Sequence, residues 1–220
     1  PSLQAVGLTG DYWYKPFDVA TDYYDYTGSV MHIDPSGRGK DETGYCVTKF
    51  INGMIFVTKI GGFKGGYDVP TLKKLAHIAR DEKVNLIQIE PDFGYGMYAQ
   101  LFKPILKDIH PCTVEDTEKQ YVQKEHRIID VLEPITSSHK LVFNYSEVIR
   151  DFEESQDEPQ RQLFYQLTRI TREKGALQYD DRLDALSMGC NYWKEQVELS
   201  VKDEYEHRRV KELEDGMKNF

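Results

Sequence analysis

The feature that most narrows the possible folds is a pair of apolar, β-rich runs on either side of Asn52–Gly53, TGYCVTKFI before it and MIFVTKIGG after it. Asn-Gly favours the tight hairpin turn whose twist matches its flanking strands, so the two runs are expected to pair antiparallel. A third apolar run, GSVMHID at 28–34, stands just upstream. Together they predict a three-stranded meander.

Downstream the period changes. Residues 69–82 carry Pro70 in a first turn, with Leu72, Leu75, Ile78 and Ala79 at helical spacing. VNLIQIE, 84–90, is a nearly continuous apolar run, as expected of a strand covered on both faces. Helices are predicted over 97–107, over 121–133 with Pro134 as the stop, over 158–172 and over 180–199. A short strand is expected at 139–144 and a charged helical or frayed tail at 201–216. The expected fold class is therefore α/β, with a mixed five-stranded sheet of three antiparallel meander strands plus parallel strands, flanked by helices. Residues 1–27, rich in tyrosine and aspartate without a period, are expected as an extended lead-in or linker. Residues 28–200 then form the domain proper, and 201–220 a charged helix or tail.

Bulk properties exclude several classes. A chain of 220 residues can bury a sizeable core. No stretch approaches the ~18 apolar residues of a membrane span, and no secretory leader pattern is present. A start at Pro1, without methionine, is expected of a fragment or processed product. The three cysteines, Cys46, Cys112 and Cys190, are far apart and odd in number, which argues for reduced thiols in an intracellular setting. A formal net charge of −9 argues against coating nucleic acid by bulk electrostatics. The acidic runs DVATDYYDY, DFEESQDE and KDEYEHRRVKELEDG read as solvated faces and linkers.

The stretch IDPSGRGKDETGY, 33–45, tests for a phosphate-binding loop and fails. GRGKDE lacks the hydroxyl residue after lysine, and the following pattern is that of a strand and not a helix. The acids carry more. Asp34 ends the first strand and Glu90 ends VNLIQIE, so neighbouring strands would bring both carboxylates to one sheet edge. Asp180 and Asp181 open the helix of YDDRLDAL, and Asp184 lies one turn on. Each has a plain structural explanation: turn former for Asp34, strand terminator for Glu90, helix cap for Asp180 or Asp181. Carboxylates from three separate segments also suit hard divalent cations, and two such ions support in-line phosphodiester cleavage.

Five ordered blocks carry a family likeness: IDPSGRGKDETGY, IQIEPDFGYGMYAQLFKPIL, KEHRIIDVLEP, SSHKLVFN and KGALQYDDRLDAL. Over roughly residues 28–190 the sequence resembles the nuclease domain of viral terminase large subunits, particularly those of short-tailed phages. The resemblance implies an RNase H-like fold and a metal-dependent endonuclease that cuts concatemeric viral DNA into genome lengths. It implies Asp34, Glu90 and the Asp180–Asp181 pair as metal-binding acids, Asp41 as an accessory ligand, and two Mg²⁺ or Mn²⁺ ions as cofactors. Tyr179 stands where such proteins often carry histidine, and Asp92 where many carry asparagine. No Walker A sequence is present, so this chain is expected to hydrolyse no ATP. The implied partners are double-stranded viral DNA, the ATPase domain, the small terminase subunit and the portal, in the host cytoplasm, with the isolated domain monomeric.

Candidate DNA contacts are Arg38, Lys40, Lys64, Lys124, Arg127 and Lys140, with Lys124 and Arg127 one helical turn apart. The glycine-rich GGFKGGYD, 61–68, is either a mobile loop that admits DNA or an ordinary connector. With so acidic a chain, the isolated domain is expected to bind DNA weakly. Other RNase H-like nucleases, such as resolvases, transposases or hybrid nucleases, and a non-catalytic docking module are the alternative functions.

Overall fold

The computed structural model describes residues 2–4, 12–14, 25–36, 41–91, 96–117 and 121–218. Two short strands, β1 (Ser2–Gln4) and β2 (Tyr12–Tyr14), pair antiparallel by themselves. The meander follows as β3 (Gly28–Asp34), β4 (Thr43–Ile51) and β5 (Met54–Phe63), each antiparallel to the next. Its hairpin turns on Asn52 and Gly53 with φ of 51° and 70°, the left-handed region this dipeptide tolerates. A bulge between Val47 and Thr48 shifts the β4–β5 register.

Helix α1 (Val69–Asp81) is capped by Asp68, whose carboxylate accepts from the Thr71 N–H at 2.7 Å. It leads to β6 (Leu86–Ile89), parallel to β3. Helix α2 (Met97–Ile109) leads to β7 (Thr113–Asp116), parallel to β6. Helix α3 (Lys124–Ser137) leads to β8 (Leu141–Phe143), parallel to β5. Then come α4 (Tyr145–Glu154), a 3₁₀ turn at Pro159–Arg161, α5 (Leu163–Arg169) and α6 (Asp181–Lys218). The main sheet has the order β7-β6-β3-β4-β5-β8. No helix among the described residues is long and apolar enough to cross a membrane.

The fold class is the mixed α/β expected, with corrections in detail. The main sheet has six strands and not five. Its extra member, β7, has the sequence TVED, a polar edge strand whose side chains mostly face water, so hydropathy does not mark it. Pro134 does not stop α3, which runs on to Ser137; a proline in the last turn costs one backbone bond, and the Pro134 carbonyl still accepts from the Ser138 N–H at 3.1 Å. The 158–172 segment is a 3₁₀ turn plus the shorter α5. The acidic run DFEESQDE is not a solvated linker: its first four residues lie in α4, and Asp151 is fully buried. At the C-terminus a single helix, α6, spans what the sequence suggested as a helix and a separate tail.

Strand alternation sorts side chains between two cores. Met31 and Ile33 of β3, with Ile87 and Ile89 of β6, pack under Leu72, Leu75 and Phe102 of α1 and α2. Val30 packs on the opposite face under α3, α5 and α6, with Leu183, Leu186 and Trp193. On that second face His32 is fully buried and donates from Nε2 to Gln88 Oε1 at 3.0 Å. Burial lowers its pKa to about 4, so the ring is neutral.

Trp193 fastens α6 to the sheet by stacking on Phe50, centroids 5.3 Å apart, and donating to Thr48 Oγ1 at 3.0 Å. Trp193→Ala is expected to lower unfolding free energy by about 3–5 kcal/mol, the range for emptying a large aromatic site. Trp193→Phe, which keeps the stacking and abandons the Thr48 hydroxyl, is expected to lose about 1–3 kcal/mol. Urea denaturation of the two variants measures both.

Candidate active site

Parity of the strands decides where the acids go. On β3, residues 30, 32 and 34 share a face, so Asp34 projects on the α6 side with Val30. On β6, residues 86 and 88 face the same side, and Glu90 continues that alternation one residue past the strand. The two strands run parallel with Ile33 beside Ile89, and the Glu90 N–H donates to the Ile33 carbonyl at 3.1 Å. Both carboxylates thus leave the carboxyl edge of neighbouring parallel strands, where open α/β sheets bind ligands.

The third acid comes from the helix above. Asp184 is buried in the first turn of α6, between Leu183 and Ala185, both fully buried. Carboxylate oxygens of Asp34, Glu90 and Asp184 all lie within 4.8 Å of one another. Hard oxygens at that spacing fit Mg²⁺ or Mn²⁺, which favour carboxylates and tolerate a partly hydrated shell.

Three converging negative charges demand compensation, and two basic side chains of α3 provide it. Lys124 Nζ lies 3.0 Å from Asp184 Oδ2, 3.0 Å from Asp180 Oδ1 and 3.9 Å from Asp34 Oδ2. Arg127 donates from Nη1 to Glu90 at 3.2 Å and from Nη2 to both oxygens of Asp184 at 2.7 Å. Burial raises the pKa of Asp34 well above the carboxylate range, the Lys124 charge opposing it and the Asp184 and Glu90 charges adding to it. Burial likewise raises Asp184 against the pull of Lys124 and Arg127. For the two cations burial acts downward, but the carboxylates win and both pKa values rise.

The start of α6 is held by backbone packing and by a buried ion network. Asp34 pairs across the ladder with Gly44, and a Cβ on Gly44 would overlap the Asp181 carbonyl. Only glycine lets the first turn of the helix rest on the strand beside Asp34. Arg182 donates from Nε to Glu42 Oε2 at 3.2 Å and from Nη1 to Asp151 Oδ1 at 2.7 Å. Asp151 Oδ1 also accepts from the Leu163 N–H at 3.1 Å, so the guanidinium of α6 joins the residue before β4 to α4, and Asp151 carries the network on to α5.

The sequence-derived candidates distribute unevenly. Asp34 and Glu90 converge. Asp184, named in the sequence only as lying one turn beyond the acidic pair, is the third member of the described cluster; Asp180 and Asp181 flank it. Asp180 is bound to Lys124, and Asp181 takes a hydrogen bond from the Glu42 backbone. Burial, then the adjacent Asp180 charge, push the Asp181 carboxyl up to about 6. Asp41 is exposed and adds its charge to the surroundings of Asp181. Arg38, Lys40 and Asp92 lie outside the described residues.

Lys124 and Arg127 share a helix face as expected, but that face meets the acids instead of open solvent. Lys140 is not brought to the cluster: its Nζ lies near the Asn52–Gly53 turn, at the opposite end of β4 from Gly44, roughly 25 Å away by strand rise. Lys64 pairs with Glu158 at 2.6 Å. Within GGFKGGYD, Gly61 and Gly62 belong to β5 and lie against the side chains of Tyr45 and Glu42. Sequence reasoning missed Arg182 and Glu42 as well. The available signal was RLDAL itself, charged residues set into an apolar helix face, which is rare unless they are paired.

Comparison with known proteins gives a consistent picture. Residues 33–141 match the family model for the ribonuclease H-like domain of the bacteriophage T7 terminase. The chain is 40% identical over 204 residues, 90% of its length, to the terminase large subunit of Enterobacteria phage T3, and spans about a third (35%) of that relative. Its fold is similar to a mutant nuclease domain of the large terminase subunit of bacterial virus Sf6 with manganese and beta-thujaplicinol: TM-score 0.53, 14% identity, 76% of this chain and 90% of that one. It is equally similar to the manganese-soaked, inhibitor-bound terminase nuclease domain of human cytomegalovirus, with TM-score 0.53, 16% identity and coverage of 79% and 86%.

Gly44→Ala is expected to cost about 1–3 kcal/mol, because the added methyl displaces the α6 backbone. Arg182→Met, which strands the buried Glu42 and Asp151, is expected to cost about 3–5 kcal/mol. Urea unfolding at neutral pH measures both, and an Arg182→Met variant as stable as the parent would show that the network does not anchor α6.

Proposed function

This chain belongs to the ribonuclease H-like nuclease family of terminase large subunits, and from that premise we propose that it is a divalent-metal-dependent endodeoxyribonuclease. Its substrate is concatemeric viral DNA, cut into genome lengths during packaging. The observation that carries this reading is the convergence of Asp34, Glu90 and Asp184, from two strand ends and one helix, to within 4.8 Å. A structural role alone gives no reason to gather three carboxylates there at such electrostatic cost.

In this reading Asp34, Glu90 and Asp184 hold Mg²⁺ or Mn²⁺ directly. Asp181, with its carboxyl raised to about 6, and then Asp180 and Asp41 extend the donor set outward toward a second ion. Bound ions supply Lewis acidity and an activated water for in-line displacement at phosphorus. The chain's own part is to fix those carboxylates, exclude bulk water from the α6 side and present cations to the phosphate. Lys124 is best situated for that last task, since its ammonium already spans the inner acids and the outer Asp180. Arg38 and Lys40, in the turn that follows Asp34 in sequence, are proposed to touch the DNA backbone.

DNA binding by the isolated domain is expected to be weak at a net charge of −9, so timed cutting depends on tethering. The proposed partners are the ATPase domain, the small terminase subunit and the portal, with the host cytoplasm as the setting.

Linear duplex incubated with Mn²⁺ tests the reading. Asp34→Asn and Asp184→Asn are each expected to lower cleavage at least roughly 100-fold while the fold is retained, and Asp180→Asn roughly tenfold. Full cleavage by the Asp34 and Asp184 variants would remove these acids from the catalytic machinery, and no cleavage by the parent would leave a docking module as the better reading. Preference for four-way junctions or RNA–DNA hybrids over duplex would point to another branch of the fold.

A further inference from the structure

Arg127 occupies the position in the site that is hardest to reconcile with a bound cation. Its Nη2 engages both oxygens of Asp184 at 2.7 Å while Nη1 reaches Glu90 at 3.2 Å. A magnesium-sized ion needs carboxylate oxygens at about 2.0–2.1 Å in near-octahedral array, and a guanidinium resting on the same oxygens repels it. Two of the three candidate ligands are therefore already taken by one guanidinium.

The structure also offers that guanidinium somewhere to go. A cavity of about 400 Å³ opens between α3, α6 and the carboxyl ends of β6 and β7, and Arg127 forms part of its wall. Glu115 of β7 lines the same cavity, is exposed, and pairs with Gln88 on the face of the sheet that α3 and α6 cover. It is a carboxylate outside the metal cluster, in a space large enough to accept a side chain and still wet enough to hydrate it. Lys124 differs, because it already holds an outside partner, Asp180, at 3.0 Å and can release Asp184 without losing its ion pair.

We propose that Arg127 is a resident competitor for the metal, pairing with Glu90 and Asp184 in the metal-free protein and turning into the cavity to pair with Glu115 when a divalent cation loads. The proposal rests on the metal-dependent reading above. It makes Arg127 a positioning residue that sets the metal concentration at which the site fills: tight enough to hold three carboxylates together without an ion, weak enough to yield to one. Release into a hydrated cavity lowers the cost of yielding.

Isothermal titration of the full 220-residue chain with MnCl₂ tests this without relying on cleavage. Arg127→Gln is expected to tighten Mn²⁺ binding by roughly 10- to 100-fold, the worth of one to two charge-assisted hydrogen bonds. Arg127→Lys, which keeps the charge if the Gln variant fails to fold, is expected to fall between parent and Gln. Glu115→Gln is expected to weaken Mn²⁺ binding in the parent and to change it little in the Arg127 variants, since the receiving carboxylate matters only when an arginine must be received.

Equal weakening in both backgrounds would reduce Glu115 to a distant negative charge and overturn the movement. Mn²⁺ binding that is unchanged or weaker in both Arg127 variants would overturn the competition while leaving the metal site intact. No binding heat in parent or variants would instead remove the metal-dependent reading, and this inference with it.

Discussion

Mutual repulsion among Asp34, Glu90 and Asp184 is the constraint around which this molecule is organised. Carboxylates within 4.8 Å of one another and largely removed from water cannot all stay ionised unassisted. In this structure the assistance comes from α3, whose first two turns supply Lys124 and Arg127. That explains the layout of one whole face of the sheet. Helix α3 must lie beside α6, α6 must begin at the sheet edge, and the strands bearing Asp34 and Glu90 must be parallel neighbours.

A second buried charge system solves a mechanical problem a few ångströms away. Arg182 alternates in sequence with the acids of α6 but points into a different set of partners, Glu42 and Asp151. One helical turn thus serves two separate networks: Asp184 turns toward the cluster, Arg182 toward the scaffold. Gly44 adds a geometric stop by letting the helix backbone touch the strand that carries the partner of Asp34. The precision of the site therefore derives from the sheet, which is the stiffest part of the fold, more than from the loops around it.

What could be read from sequence follows the physics of each element. Alternation and the Asn-Gly turn identified the meander, because a half- or fully buried strand leaves a period of two in its side chains. The same alternation carried Asp34 and Glu90 to one edge. β7 was illegible because TVED is an edge strand with little to bury, and α4 because its buried face is made of Glu147 and Asp151 in place of aliphatic residues. Asp184 was overshadowed by Asp180 and Asp181, since acids at a helix start have a sufficient local explanation in the dipole. Lys124 and Arg127 share a face by spacing, yet whether that face meets phosphate or carboxylate depends on where α6 lies, which no local pattern records.

Helix α6 has a mechanical consequence. It begins at the acids and continues as one unbroken helix to Lys218, roughly 55 Å at 1.5 Å per residue. Past the ring stack at Trp193 and the buried Val197 it bares Leu199 and Tyr205. The Asp184 end of the rod is therefore fixed to the sheet by packing, and the helix reaches several turns past the residues that fix it.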